Sequence, residues 1–147
     1  MKKIDTVIIT TRLEFITRYL ENLKRFQVIS WDDYYNNFDT QLITERLIQL
    51  MAQAAIDINE HILSKLNPGN SLTNFEAFIE LGKYGVISPE LAQQIAPSAG
   101  LRNRLVHEYD EIDPRKVFEA ISSALQQYPL YVRQINNYVI SLDVDNE

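Results

Sequence analysis

Six apolar residues, Ile43, Leu47, Leu50, Ala54, Ile58 and Ile62, recur at steps of three or four along one unbroken stretch. That is the period of an α-helix, and it gathers all six on one side of a long rod. Such a rod is stable only if other elements bury the stripe, so the chain must build a core around it. A second stripe, Ile9, Leu13, Ile16, Leu20 and Leu23, has the same spacing. On that segment Glu14 and Arg18 are placed to face solvent as an i,i+4 ion pair. "VIIT" at residues 7–10 has strand propensity, but it runs into the helical spacing. "NPGNS" at 67–71 breaks the long helix. A shorter helix over "NFEAFIELGKYG" closes at Gly82 or Gly85. "SPEL" at 88–91 is an N-cap followed by proline at the first helical position. Pro97 interrupts that helix, and the next segment restarts near Ser98. "DPRK" at 113–116 repeats the cap-then-proline signal. The last helix carries Val117, Ile121, Leu125 and Tyr128, with Pro129 expected to kink it. The acidic tail "LDVDNE" is expected to fray. No alternating pattern long enough for a strand is present. The expectation is one all-α domain over residues 1–147, an up-down helical bundle of four to five helices.

Composition narrows the function. The chain has 147 residues, 46% of them hydrophobic, enough for a core without staples. It has no cysteine, which removes disulfides, thiolate metal sites and a cysteine nucleophile. No apolar run approaches the ~20 residues that span a bilayer, so no membrane partner is expected. "MKKIDTVIITTRLEF" begins like a signal peptide, but Asp5, Arg12 and Glu14 interrupt it. A cytoplasmic location is expected. The net charge is −6. A protein that coats nucleic acid carries a basic face, so any such contact here belongs to a small basic pocket or needs a partner.

The chemistry concentrates in "RNRLVHEYD", residues 102–110. Asn103 and His107 are i,i+4 and share a helix face. Arg102 and His107 are five apart, about 140° around the axis, and flank a groove. Leu101 and Leu105 form an apolar strip that anchors the segment. Histidine titrates near neutrality and can give and take protons in the cell. Arginine offers a fixed fork that matches phosphate oxygens. The pair suits metal-free phosphodiester cleavage, with His107 moving the proton of a ribose 2′-OH or of the leaving oxygen. Arg102 would hold the phosphate, and Asn103 would orient the imidazole or the phosphate. General acid–base help of this kind is worth ~10²–10⁴ in rate. One histidine cannot readily serve as both acid and base, which implies a slow enzyme or two sites meeting across a two-fold axis. On the spacing alone, a solvated or salt-bridged helix end is the default reading.

The chain resembles the HEPN family, and within it the HepT toxins that pair with a minimal nucleotidyltransferase antitoxin. The family's motif is arginine, a polar residue, three intervening positions, histidine, any residue and tyrosine; "RNRLVHEY" fits it. "ERLIQLMAQAAIDINEHIL", "GVISPELA" and "EYDEIDPRKVFEAI" resemble the long helix, the pre-motif segment and the run after the motif. The similarity covers roughly residues 40 to 130. It implies a homodimeric, metal-independent ribonuclease toxin of a type VII-like toxin–antitoxin pair, with no cofactor. Arg102 and His107 carry over as catalytic residues, with Asn103 as the polar residue beside the arginine. The two motifs would meet in a dimer cleft. Tyr109 would be the target of the antitoxin, which transfers AMP from ATP to its hydroxyl. Added phosphate and bulk beside Arg102 would then oppose RNA entry.

Other residues have two readings each. His61 has Asp57 at i−4, and the structural reading makes that carboxylate its partner. No metal-ligand spacing occurs, and "NPGN" lacks the glycines and lysine of a phosphate loop. "WDDYYNNF" at 31–38 either stacks bases or packs against the bundle or a partner. Arg104, Arg115 and Lys116 are secondary candidates for RNA contact, offset by Glu108, Asp110, Glu111 and Asp113. A non-catalytic helical subunit, which binds a nucleotidyltransferase and presents its substrate, is the alternative to a ribonuclease.

Overall fold

The computed structural model describes residues 3–107 and 111–145. Helix α1, Thr6–Leu23, starts where the Asp5 side chain accepts hydrogen bonds from the Val7 and Ile8 N–H groups. It buries the five-residue stripe expected for it, Ile9 to Leu23, so "VIIT" is helix. A 3-10 turn at Lys24–Phe26 leads to a short helix, α2, Trp31–Tyr35, capped by Ser30. Asn37 caps the long helix α3, Phe38–Leu66. Helix α4, Asn74–Lys83, opens with a capping box between Thr73 and Glu76. Ser88 caps α5, Pro89–Ile95, and α6 spans Pro97–His107. Asp113 accepts the Arg115 N–H at 3.0 Å where α7, Pro114–Asp145, begins.

Among the described residues there are helices and no strands, so the fold is all-α. The expected four- to five-helix bundle is the long set α1, α3, α4, α6 and α7. Helices α2 and α5, of five and seven residues, fill its corners. Helix α3 is central and packs against α1, α4, α6 and α7.

Several local expectations need correction. In the first half of α3 the buried face is Thr40, Thr44, Ile48, Met51 and Ala55; Ile43 is 38% exposed, and Leu47 and Leu50 are half-buried. Thr44 reaches the core because its hydroxyl bonds to the Thr40 carbonyl at 2.9 Å and to the Tyr34 hydroxyl at 3.2 Å. A satisfied hydroxyl is tolerated where hydropathy alone favours isoleucine. From Ala54 onward the expected phase holds, through Ile58 and Ile62. Arg18 stands over the Phe15 ring at 6.0 Å, and among the described residues no ion pair joins it to Glu14. Helix α4 runs through Gly82 and closes at Gly85, which has φ +74°. There the Val86 N–H reaches the Leu81 carbonyl at 3.0 Å and the Gly85 N–H reaches Gly82 at 3.2 Å, the pairing of a Schellman motif. Pro97 itself begins α6, one residue before the expected restart. Helix α7 continues through Pro129, which is exposed, so water can serve the carbonyl it leaves unbonded. That helix also includes Leu142–Asp145 of the tail expected to fray.

Candidate active site

Helix α6 is anchored by Ala99, Leu101 and Leu105, which are 1%, 8% and 7% exposed. These three face inward, as the two leucines were expected to. Their burial turns Asn103, Arg104 and His107 to solvent and leaves Arg102 half-buried. Arg102 Nη1 donates to Asn103 Oδ1 at 3.0 Å. The Asn103 amide oxygen thus meets the guanidinium of its neighbour. Arg102 Nε is buried and has no hydrogen-bond partner among the described residues. An unmet buried donor costs about 1–3 kcal/mol, more beside a charge, and an incoming anion can relieve it. His107 is the last described residue of α6, with its side chain exposed. Tyr109 lies outside the described residues, as do Glu108 and Asp110.

The three secondary basic candidates separate. Arg104 and Lys116 line one groove of about 330 Å³ between α6 and α7, closed beneath by Ile48 and Met51 of α3. The Arg104 guanidinium lies back along its helix, with Nη1 3.8 Å from where a Cβ would stand on Gly100. Arg115 points elsewhere. Its guanidinium covers the Trp31 ring at 4.8 Å and the Phe118 ring at 5.5 Å, and its Nε pairs with Glu119 at 3.4 Å. Trp31 packs edge-on against Phe118 at 5.4 Å, and Tyr34 is fully buried beside it. The start of the aromatic cluster thus packs into the bundle, while Tyr35 and Phe38 stay exposed.

His61 is structural, but its partner is not Asp57. Its Nε2 accepts the Asp5 N–H at 2.8 Å. Asp57 instead binds Arg12 at 3.4 Å and Gln53 at 2.9 Å. At the other end of the α6–α7 groove, Ser98 and Tyr128 share a hydrogen bond of 2.9 Å. Burial pushes the Tyr128 phenol far above its ordinary range, so it remains a neutral hydroxyl. Sequence spacing did not reveal the groove. Among the described residues no group of three His, Asp or Glu side chains gathers as a metal site.

Known proteins resemble this chain in sequence and in fold. The family model "Ribonuclease HepT-like" matches residues 16–135. The tRNA nuclease HepT of Aphanizomenon flos-aquae is 70% identical over 147 residues, all of both chains. The mRNA nuclease HepT of Shewanella oneidensis is 25% identical over 112 residues, 75% of this chain and 84% of that one. The fold also matches a solved structure, the tri-AMPylated HEPN toxin of Shewanella oneidensis in complex with its MNT antitoxin. That match has a TM-score of 0.76 and 22% identity over 88% of this chain and 97% of the other. The chain belongs to the HepT-like ribonuclease family.

Proposed function

We propose that this protein is the ribonuclease toxin of a type VII-like toxin–antitoxin pair. It cuts tRNA without a metal in a cleft between two copies of the chain, and its nucleotidyltransferase partner silences it by placing AMP on Tyr109. The observation that carries this reading is the full-length 70% identity to a tRNA nuclease. A half-buried Arg102 whose Nε has no hydrogen-bond partner among the described residues, on the same helix as an exposed His107, supports it.

In this reading His107 takes the proton of a ribose 2′-OH. The freed oxygen attacks the adjacent phosphorus, and the bond from phosphorus to the 5′ oxygen breaks. The His107 of the second copy returns a proton to that leaving oxygen, which gives a 2′,3′-cyclic phosphate and a 5′-OH end. Arg102, held by Asn103, forks the phosphate and meets the charge that grows on it in the transition state. Each copy supplies one histidine, which removes the conflict of a single group acting as acid and base. AMP on Tyr109 would add negative charge beside this cation and close the cleft.

The test is purified protein, shown by intact mass to carry no AMP, incubated with tRNA in EDTA. Cleavage is expected, and His107→Ala should slow it by ~10²–10⁴. Equal and undiminished RNA with both proteins would favour the non-catalytic subunit. In the same preparation, the partner enzyme and ATP should raise the mass of the wild type and leave Tyr109→Phe unchanged.

A further inference from the structure

We propose that the groove between α6 and α7 is a nucleobase subsite. An unpaired nucleotide next to the cut lodges its base there, and Arg104 and Lys116 hold its phosphate. This deepens the ribonuclease reading and rests on it. The groove has about 330 Å³, within the range of small-ligand pockets. Its walls at Leu101 and Ala120 are apolar, and Met51 lies beneath them. Small side chains on α7 leave a slot where larger ones would close the helices together, and a thioether is a favourable neighbour for an aromatic ring. The amides of Gln94 and Gln127 also line the slot, and each can donate to and accept from a base edge.

Charge selects the occupant. The chain is acidic overall, at −6, yet two cations, Arg104 and Lys116, line this one concavity. Glu119 also lines it, but its carboxylate is paired with Arg115. An apolar slot with paired amides and a cationic edge matches a nucleotide rather than a peptide or a lipid. Position agrees as well. Arg104 and His107 are three residues apart on α6 and share a face, so the groove opens on the side of the helix that carries the proposed catalytic histidine. A base can enter such a slot only if it is out of a duplex, so the substrate class is RNA with an unpaired nucleotide beside the scissile phosphate.

The test uses His107→Ala protein and a short single-stranded RNA with 2-aminopurine at its centre, read by fluorescence titration. Binding should change the fluorescence, and the same RNA annealed to its complement should bind more weakly. Ser123 is exposed at the groove, so Ser123→Phe plugs it without crowding the core. That substitution should weaken binding about tenfold and remove the fluorescence change. Lys116→Ala, an exposed change that spares the fold, should weaken binding and flatten its salt dependence. Unchanged affinity in both variants, or no fluorescence response in the parent, overturns the subsite. Cleavage of tRNA by the wild type is scored separately. If it cuts and Ser123→Phe cuts with the same KM, the subsite fails and the ribonuclease stands. Absence of cutting sinks the ribonuclease whatever the titration shows.

Discussion

At the scale of single residues, the motif was legible and its partners were not. Arg102, Asn103 and His107 fall on α6 where helical arithmetic puts them. Spacing left the partner of Asn103 open; in the structure its side-chain oxygen accepts from the Arg102 guanidinium. The histidine at 61 shows the limit more clearly. Local spacing paired it with Asp57, four residues back, whereas its partner is the backbone of Asp5, 56 positions away. No period within a helix reports such a contact. The bond has a consequence for pH. Only the neutral imidazole can accept the Asp5 N–H, and Asp5 is the residue that caps α1. Burial, with Lys65 nearby and Asp5 opposing, holds His61 below the usual histidine range. Its folded pKa is thus lower than its unfolded one, near 6.5. Between those values the unfolded chain binds the extra proton. The stabilisation is therefore complete above the unfolded value and is lost as pH falls through the folded one. Thermal unfolding should show the wild type losing more stability than His61→Gln as pH drops from about 7 to about 5. Parallel curves for the two proteins would contradict this.

At the scale of elements, helix starts were the easiest feature to read, because caps are local chemistry. "SPEL" and "DPRK" each announce a helix, and Ser88 and Asp113 accept the N–H bonds that such caps require. The face that each helix buries is a tertiary fact and was read less well. Helix α3 turns Thr44 inward and Ile43 outward because α2 delivers the Tyr34 hydroxyl to that spot. Gly82 is a similar case. It sits inside α4 rather than at its end, and a Cβ there would stand 2.8 Å from the Ala92 Cβ and 3.3 Å from the Pro89 Cα. Its lack of a side chain is what lets α5 lie against α4. Gly82→Ala should therefore destabilise by about 1–3 kcal/mol despite alanine's better helix propensity, a loss of several degrees in unfolding temperature. A neutral or stabilising result would mean that α5 shifts freely, and α5 leads directly into α6.

At the scale of the whole molecule, the all-α bundle followed from periodicity, while the α6–α7 groove did not. Its walls come mainly from α6 and α7, two separate segments of the chain, and nothing in either alone predicts a slot between them. The same geometry explains how an acidic protein can handle RNA. In the proposed function, the positive charge that meets RNA is that of α6 and the groove beside it. Among the described residues no helix is long and apolar enough to cross a membrane. The account as a whole depends on a metal-free attack by the ribose hydroxyl, driven by His107. The ends of the products measure that directly. AMP-free protein and tRNA in EDTA should give fragments ending in 2′,3′-cyclic phosphate or its 3′-phosphate, each facing a 5′-hydroxyl, and His107→Ala should give almost none. Fragments with 5′-phosphate ends, or the same fragments at the same rate from His107→Ala, would contradict it.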